Sequence, residues 1–122
     1  MADGQGIAHP RRMGLAAHLG LLLDVPSFGC AKSRLFGEGR APNAARGSFE
    51  YLTAPNTREV VGTYVRTKDR VAPVIVSAGH RITLEEAVAL TLDCACGYRI
   101  PEPTRLAHHI VNRFRRGEIQ AY

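Results

Sequence analysis

The stretch that decides the fold is VVGTYVRTKDRVAPVIVSAGHRIT, residues 60–83. Its first part, VVGTYVRT, alternates in the manner of a strand, KDR predicts a turn, and VAPVIVS predicts the returning strand. Thr83 and Glu86 then have the spacing of a capping box, in which hydroxyl and carboxylate satisfy free backbone N–H groups at a helix start. A strand pair that leads directly into a helix predicts a mixed α/β protein.

Before this hairpin, the sequence predicts one helix and one buried strand. Leucines recur at helical spacing within residues 15–23, and Pro26 follows as a helix stop. The apolar run VPSFGCA predicts a strand that ends at Lys32. Residues 37–58 are rich in Gly, Pro, Asn and Ala, which predicts a long surface loop. Phe49, Tyr51 and Leu52 are expected to attach this loop to the core.

The last predicted helix runs from about Thr104 to Arg116 and has two contrasting faces. We expect its apolar face to be buried, and this face comprises Leu106, Ala107, Ile110, Val111 and Phe114. The opposite face comprises Arg105, His108 or His109, Asn112 and Arg115 or Arg116. A solvated helix face usually mixes charges of both signs, whereas this one has no acid before Glu118. Cationic and hydrogen-bonding side chains in this arrangement suit phosphate.

Composition limits the class of protein. A chain of 122 residues forms one domain, and its net charge of +5 favours a polyanionic partner. Three cysteines, an odd number, argue against a disulfide framework and for a reducing compartment. The sequence has neither a signal-peptide pattern nor an apolar run long enough to cross a bilayer. We therefore expect a soluble, cytoplasmic protein with no membrane partner.

Three positions are candidates for chemistry, and the residues alone leave each one open. Asp3 lies in the glycine turn DGQG, where it is either a solvated acid or part of a site that a backbone can approach closely. Lys32 follows an apolar run, either as a surface lysine or as a cation at a ligand-binding strand end. His80 and Arg81 precede a helix, either in an ordinary loop or at an anion site.

A metal site made of Cys94, Cys96, His108 and His109 is a further alternative. Cys-x-Cys within a helix places the two thiols on different faces, and zinc sites normally use a longer spacing. Small buried apolar side chains are the simpler interpretation of these cysteines.

Four motifs, taken together in their order, resemble the endonuclease V family. They are DGQGIAHPRR (residues 3–12), GCAKSRL (29–35), SAGHR (77–81) and RIPEPTRLAH (99–108). The resemblance extends from Asp3 to about Gly117. It implies an RNase H-like α/β/α layered fold that lacks the family's N-terminal core strands, so that residues 1–122 form a single partial domain.

The resemblance also implies an activity. Endonuclease V is a magnesium-dependent nuclease of DNA repair, with Mn²⁺ a plausible substitute. It cuts the second phosphodiester bond 3′ to deoxyinosine, and some members act on inosine in single-stranded RNA. By match, Asp3 is a metal-binding carboxylate and, with Lys32 and His108, forms the catalytic set. The implied base pocket comprises Gly4, Gly14, Leu15, Gly29 and Leu35. The implied nucleic-acid contacts are Gly6, His9, Ser33, His80, Arg81 and Arg105.

The chain departs from the family pattern upstream of Asp3. Family members carry a second aspartate, a glutamate and an aromatic wedge on earlier strands, and one carboxylate alone holds magnesium poorly. We consider a domain cut from a longer protein, a mis-set start, and one half of a split enzyme whose second chain supplies the strands and carboxylates. The competing functions are a non-catalytic module that binds inosine or single-stranded nucleic acid, and an inert product that aggregates through an open sheet edge.

Overall fold

The structure, a computed structural model, describes residues 1–118. The helices are α1 (Leu15–Leu23), α2 (Leu84–Cys94) and α3 (Glu102–Arg115). The strands are β1 (Ser27–Ala31), β2 (Phe49–Thr53), β3 (Val60–Val65) and β4 (Val74–His80). The predicted strand VPSFGCA, the hairpin and the helix that follows it are therefore all present.

The four strands form one antiparallel sheet in the order β1-β4-β3-β2. The register pairs Gly29 of β1 with Ser77 of β4, and Val76 of β4 with Thr63 of β3. At the outer edge of β1, Ala2 forms a parallel bridge with Gly29. The N-terminal residues thus lie along β1 and direct Asp3 towards the end of that strand.

Both faces of the sheet carry buried side chains. Successive side chains of a strand point to opposite faces, so neighbouring residues of β4 belong to different clusters. Ile75 of β4 packs in one buried cluster with Ala8 and Leu52. Its neighbours Val74 and Val76 pack in the other cluster, together with Ala87 of α2. Since α1 contacts β1 and β4, and α2 contacts β4, the molecule is a mixed α/β structure, as the hairpin and capping pattern predicted.

The start of α2 confirms the predicted capping box. The Thr83 hydroxyl accepts a hydrogen bond from the Glu86 N–H at 3.1 Å, and the Thr83 N–H donates to Glu86 Oε1 at 3.1 Å. These hydrogen bonds favour the charged carboxylate, so the pKa of Glu86 lies below its ordinary value. Sequence therefore fixes this helix start locally.

The loop expected over residues 37–58 is wrong in one part, because Phe49–Thr53 forms the edge strand β2. This strand pairs with β3, with Tyr51 opposite Thr63. Leu52 is fully buried, as expected, whereas Phe49 and Tyr51 remain exposed. The alternating pattern was short and lay among Gly, Ala and Pro, which concealed the strand.

The expected buried face of α3 is also wrong. Leu106, Ile110, Val111 and Phe114 are each about half exposed, and within the described part of the helix only Thr104 is buried. The helix is attached through its first turns, and its apolar side, Ala107 included, remains exposed. None of the helices in those residues is long and apolar enough to cross a membrane.

The leucines of α1 likewise point outward, because small residues make the contact with the sheet. Ala16, Ala17 and Gly20 are buried, whereas Leu22 and Leu23 are exposed. A Cβ added to Gly20 would lie 2.0 Å from Ser27 Oγ. The close approach of α1 to the sheet therefore requires glycine here.

Candidate functional site

Three predicted residues meet at one point of the surface. Lys32 Nζ lies 2.9 Å from His108 Nδ1 and 3.7 Å from Asp3 Oδ2. The same Asp3 oxygen also contacts His108 Nε2. Lys32 Nζ also lies 3.1 Å from His108 Nε2, so the ammonium is close to both ring nitrogens. A carboxylate, a cation and an imidazole thus form one cluster.

The three side chains come from separate elements. The Ala2 N–H donates to the Phe28 carbonyl at 2.9 Å, which places the next residue, Asp3, beside the end of β1. Lys32 follows the last residue of β1 directly. His108 lies on α3, whose first turn contacts the N-terminus through Thr104 and Met1. The sheet edge and the helix therefore converge on the cluster.

The cluster contributes little to folding. Each of the three side chains is about two fifths exposed, and partly exposed ion pairs are worth only about 0–1 kcal/mol. An exposed anion held between a cation and an imidazole is instead suited to chemistry. The lysine can neutralise charge on a bound phosphate, and the imidazole can hold or move a proton.

A cavity of about 520 Å³ opens beside the cluster. Eight of the predicted site residues line it: Asp3, Gly4, His9, Gly14, Leu15, Lys32, Ser33 and Leu35. Its lining combines glycines and aliphatic side chains with the charged groups of Asp3 and Lys32. This is the form of a pocket that receives a flat, weakly polar group next to a charged one.

Gly29 belongs to the predicted pocket but lies behind its wall. A Cβ on Gly29 would lie 2.2 Å from the carbonyl oxygen of Gly4. The glycine thus lets the turn that follows Asp3 approach β1. The neighbouring Cys30 is buried, and burial, followed by the charge of Asp3, raises the pKa of its thiol to about 12. Cys30 is therefore a neutral packing residue and not a nucleophile.

The predicted nucleic-acid contacts His80 and Arg81 lie elsewhere. His80 pairs with Ser27, at the far end of β1 from Lys32, about 16 Å away along the strand. His80 Nε2 and Arg81 Nε lie 3.0 and 3.4 Å from Asp24 Oδ1. The structure therefore groups them with an acid at the opposite end of the sheet and not with the cavity.

Two other predicted contacts, Gly6 and Arg105, do not line the cavity. Gly6 is buried, and its N–H donates to Ser77 Oγ at 2.7 Å. Arg105, one turn before His108 on α3, places its guanidinium carbon 4.1 Å from the ring centroid of Tyr98. Gly6 is thus a packing position, while Arg105 is stacked on an aromatic ring.

Sequence reasoning missed five residues around the site. Gln5, Met13, Ala31 and Arg34 line the cavity, and Arg99 Nη2 donates to the carbonyl of Lys32 at 2.9 Å. Gln5 and Arg99 lie within the motifs DGQG and RIPEP, but no periodic pattern in a sequence identifies a polar side chain that binds the backbone. Met13 could have been found, because it lies just before α1 and next to the predicted pocket residue Gly14.

Residues 1–118 offer Mg²⁺ only part of a site. Mg²⁺ prefers oxygen ligands in octahedral geometry, and the cluster supplies one carboxylate, with an ammonium 3.7 Å from its Oδ2. No group of three or more His, Cys, Asp or Glu side chains in these residues is arranged to hold a metal ion. By itself, this donor set does not fit Mg²⁺.

The same fold occurs in solved structures. An endonuclease V from Streptomyces avermitilis superposes with a TM-score of 0.87 at 45% identity, over 95% of this chain and 50% of that one. Endonuclease V from Ciona intestinalis, solved in complex with a 24mer DNA containing an inosine followed by a ribo-adenosine, gives 0.79 at 28% identity, over 96% and 54%. The fold is thus the RNase H-like α/β fold of nucleases, as predicted.

Sequence comparison defines the family. The family model described as Endonuclease V matches residues 1–109, and the chain belongs to the endonuclease V family. Endonuclease V of Methanothrix thermoacetophila is 61% identical over 106 residues, which are 87% of this chain and 47% of that protein. The chain spans about half the length of the curated relatives that it matches.

Proposed function

We propose that the chain acts in DNA repair as part of a nuclease that cuts the second phosphodiester bond 3′ to deoxyinosine. We include inosine in single-stranded RNA as a second substrate. The convergence of Asp3, Lys32 and His108 beside the cavity carries this proposal. All three residues fall within the stretch that matches the family.

The cluster suits a phosphodiester placed against it. The Lys32 ammonium offsets the negative charge that develops on the phosphoryl oxygens during hydrolysis. The His108 imidazole contacts Asp3, which fixes the position of the ring, so that it can orient or deprotonate a water. The net charge of +5 supports approach of a polyanion.

The cavity suits a nucleobase that has left its stack. Deamination of adenine gives hypoxanthine, and a base must be flipped out before a pocket can enclose it. Leu15 and Leu35 supply aliphatic contact for the ring faces, and the Gly4 and Gly14 backbone allows close approach. The Ciona relative was solved with inosine-containing DNA, which supports the same ligand here.

Dependence on Mg²⁺, or on Mn²⁺ in its place, requires donors in addition to Asp3. We propose that a second chain supplies these carboxylates next to Asp3. The half of the relatives that this chain does not span is the natural source. The 122 residues alone are then expected to bind magnesium weakly and to cut slowly or not at all.

A nicking and binding experiment tests the proposal. Purified wild type and Asp3→Ala are incubated with single-stranded oligonucleotides that contain one deoxyinosine or a deoxyadenosine, with Mg²⁺ and with EDTA. We expect wild type to bind the deoxyinosine strand more tightly, and to nick it in the presence of Mg²⁺ when a polypeptide matching the other half of the relatives is added. Asp3→Ala should lose nicking while it keeps its affinity. A matching pair of RNA strands tests the second substrate.

Two results would contradict the proposal. Equal affinity for both strands would show that the chain does not recognise the base. Nicking by Asp3→Ala at the wild-type rate would show that the cluster does not take part in the reaction. Asp3→Ala binding that tightens, with no nicking by wild type even when a polypeptide matching the other half of the relatives is added, would identify a binding module instead.

A further inference from the structure

Gln5 joins three segments around the cavity. Its side chain is buried, with 6% exposed, and Nε2 donates to the Ser33 carbonyl at 3.0 Å. Its backbone carbonyl accepts a hydrogen bond from the Ala16 N–H at 2.9 Å. One residue thus connects the turn after Asp3, the first turn of α1 and the loop after β1. Residues of all three segments line the cavity.

The carbonyl of Lys32, the residue before Ser33, is held by Arg99. Arg99 Nη2 donates to the Lys32 carbonyl at 2.9 Å, and Arg99 Nε donates to the Ala72 carbonyl at 2.8 Å. Two successive carbonyls are therefore fixed, one to the turn that carries Asp3 and one to the segment before β4. The Lys32 side chain extends from a backbone held by both contacts.

The contact with Ser33 fixes the orientation of the Gln5 amide. The Ser33 carbonyl can only accept, so Nε2 must face it and Oε1 points away. Oε1 is buried and accepts no hydrogen bond from residues 1–118. The Gln5 side chain therefore holds the loop after β1 through one hydrogen bond, that to the Ser33 carbonyl.

We propose that Gln5 is a positioning residue, which sets the width of the base cavity and the placement of Lys32. It does so by holding the Ser33 carbonyl against the Asp3 turn. This inference rests on the proposed function for its ligand, a hypoxanthine base in a single strand. Without this hydrogen bond, the loop after β1 moves away from the turn, and the groups that line the cavity no longer lie where they can distinguish the carbonyl of hypoxanthine from the amino group of adenine.

Gln5→Met tests the role because methionine has a similar length but no N–H. The variant also removes the unmet Oε1, and the exposed Ser33 can bind water, so we expect a nearly unchanged melting temperature. The ratio of affinities for deoxyinosine and deoxyadenosine strands should fall by about three- to tenfold, the value of one hydrogen bond. Thr63→Val is the matched control, since Thr63 Oγ1 donates to the Glu50 carbonyl far from the cavity.

Hydrogen exchange provides a second measurement that needs no ligand. In Gln5→Met, amides of residues 32–35 should exchange faster, while those of β3 and β4 stay unchanged. Gln5→Asn, which keeps the amide but is too short to reach Ser33, should behave in the same way if Gln5→Met folds poorly. Unchanged selectivity and unchanged exchange at residues 32–35 would overturn the inference.

The two proposals can fail separately. A wild type without preference for deoxyinosine contradicts the proposed function, and hydrogen exchange then still decides the positioning role. A wild type that prefers deoxyinosine, together with a Gln5→Met variant that keeps the full preference, contradicts only the role of Gln5. Exchange that is uniformly faster in Gln5→Met and a loss of the same selectivity in Thr63→Val are a further pair of results. Those two results together would show general destabilisation and would also overturn the inference.

Discussion

Lys32 Nζ lies 2.9 Å from His108 Nδ1, although 76 positions separate the two residues in the chain. The contact joins the end of β1 to the middle of α3, a helix whose apolar side is exposed. The position of His108 thus depends on the first turns of α3, where Thr104 is buried and Arg99 precedes the helix. A change that loosens the attachment of α3 is therefore expected to displace His108 from the cluster.

Loss of the ammonium should impair the site without unfolding the protein. For Lys32→Ala we expect at least about a hundredfold slower nicking, because a charge that stabilises the reacting phosphate is removed. The melting temperature should change little, since the ion pair is partly exposed. Lys68→Ala, in the turn between β3 and β4, is the control. Equal effects of both substitutions on nicking would show that only overall charge matters.

The exposed side of α3 is tested by a matched pair of isoleucines. Ile75 is 2% exposed and Ile110 is 55% exposed. Ile75→Ala should cost about 2–5 kcal/mol in the free energy of unfolding, whereas Ile110→Ala should cost less than about 0.5 kcal/mol. Urea denaturation at two protein concentrations measures both. A large, concentration-dependent cost for Ile110→Ala would contradict the exposed face and indicate a second copy packed on it.

Sequence predicted those parts of the fold that local interactions determine. The capping box at Thr83 and the alternation in β3 need no distant partner, and both are confirmed. The strand β2 was missed because Phe49 and Tyr51 are exposed on a sheet edge, so the strand carries little of the burial pattern that identifies strands. The amphipathic pattern of α3 predicted its apolar face correctly, but it could not show that this face is exposed within residues 1–118.

The candidate site required more than local pattern. Spacing could not show that Asp3, Lys32 and His108 meet, because their contacts connect separate elements across the sheet edge. The family resemblance supplied that expectation, and the coordinates bring the three together. His80 and Arg81, taken from the same resemblance, lie at the other end of β1 and contact Asp24. Gln5 was missed because its partner is a backbone atom 28 positions away.

The capping box should make stability depend on pH in a defined direction. The pKa of Glu86 is lowered by its hydrogen bonds with Thr83. The stabilisation from the charged carboxylate is therefore fully present above its ordinary value of 4.5 and is lost as pH falls through the lower, folded-state pKa. Glu86→Gln, which keeps the shape, should be less stable than wild type at pH 7 and equally stable at low pH. Denaturation curves at a series of pH values measure this, and a difference that does not vary with pH would exclude it.

Two glycines at the cavity should respond differently to alanine. In Gly29→Ala the new Cβ would lie 2.2 Å from the Gly4 carbonyl oxygen, so backbone must shift and stability should fall by about 1–3 kcal/mol. In Gly4→Ala the nearest atom is Leu15 Cβ at 3.4 Å, an ordinary contact. Gly4→Ala should fold normally and bind deoxyinosine strands more weakly because it narrows the cavity. Thermal melting and binding titration, made in parallel, separate the two effects. Normal stability in Gly29→Ala would contradict the close packing of the Asp3 turn on β1.

The most direct test of the central claim is an NMR titration of the ¹⁵N- and ¹³C-labelled protein with a short single strand containing one deoxyinosine. It follows the backbone amides of Gly4 and Gly14 together with the side-chain signals of Lys32 and His108. If cavity and cluster form one site, these signals shift together and saturate at the same strand concentration, while a deoxyadenosine strand gives much smaller shifts at Gly4 and Gly14. Shifts confined to other surfaces, such as the Asp24 end of β1, with no change at Lys32 and His108, would contradict the claim.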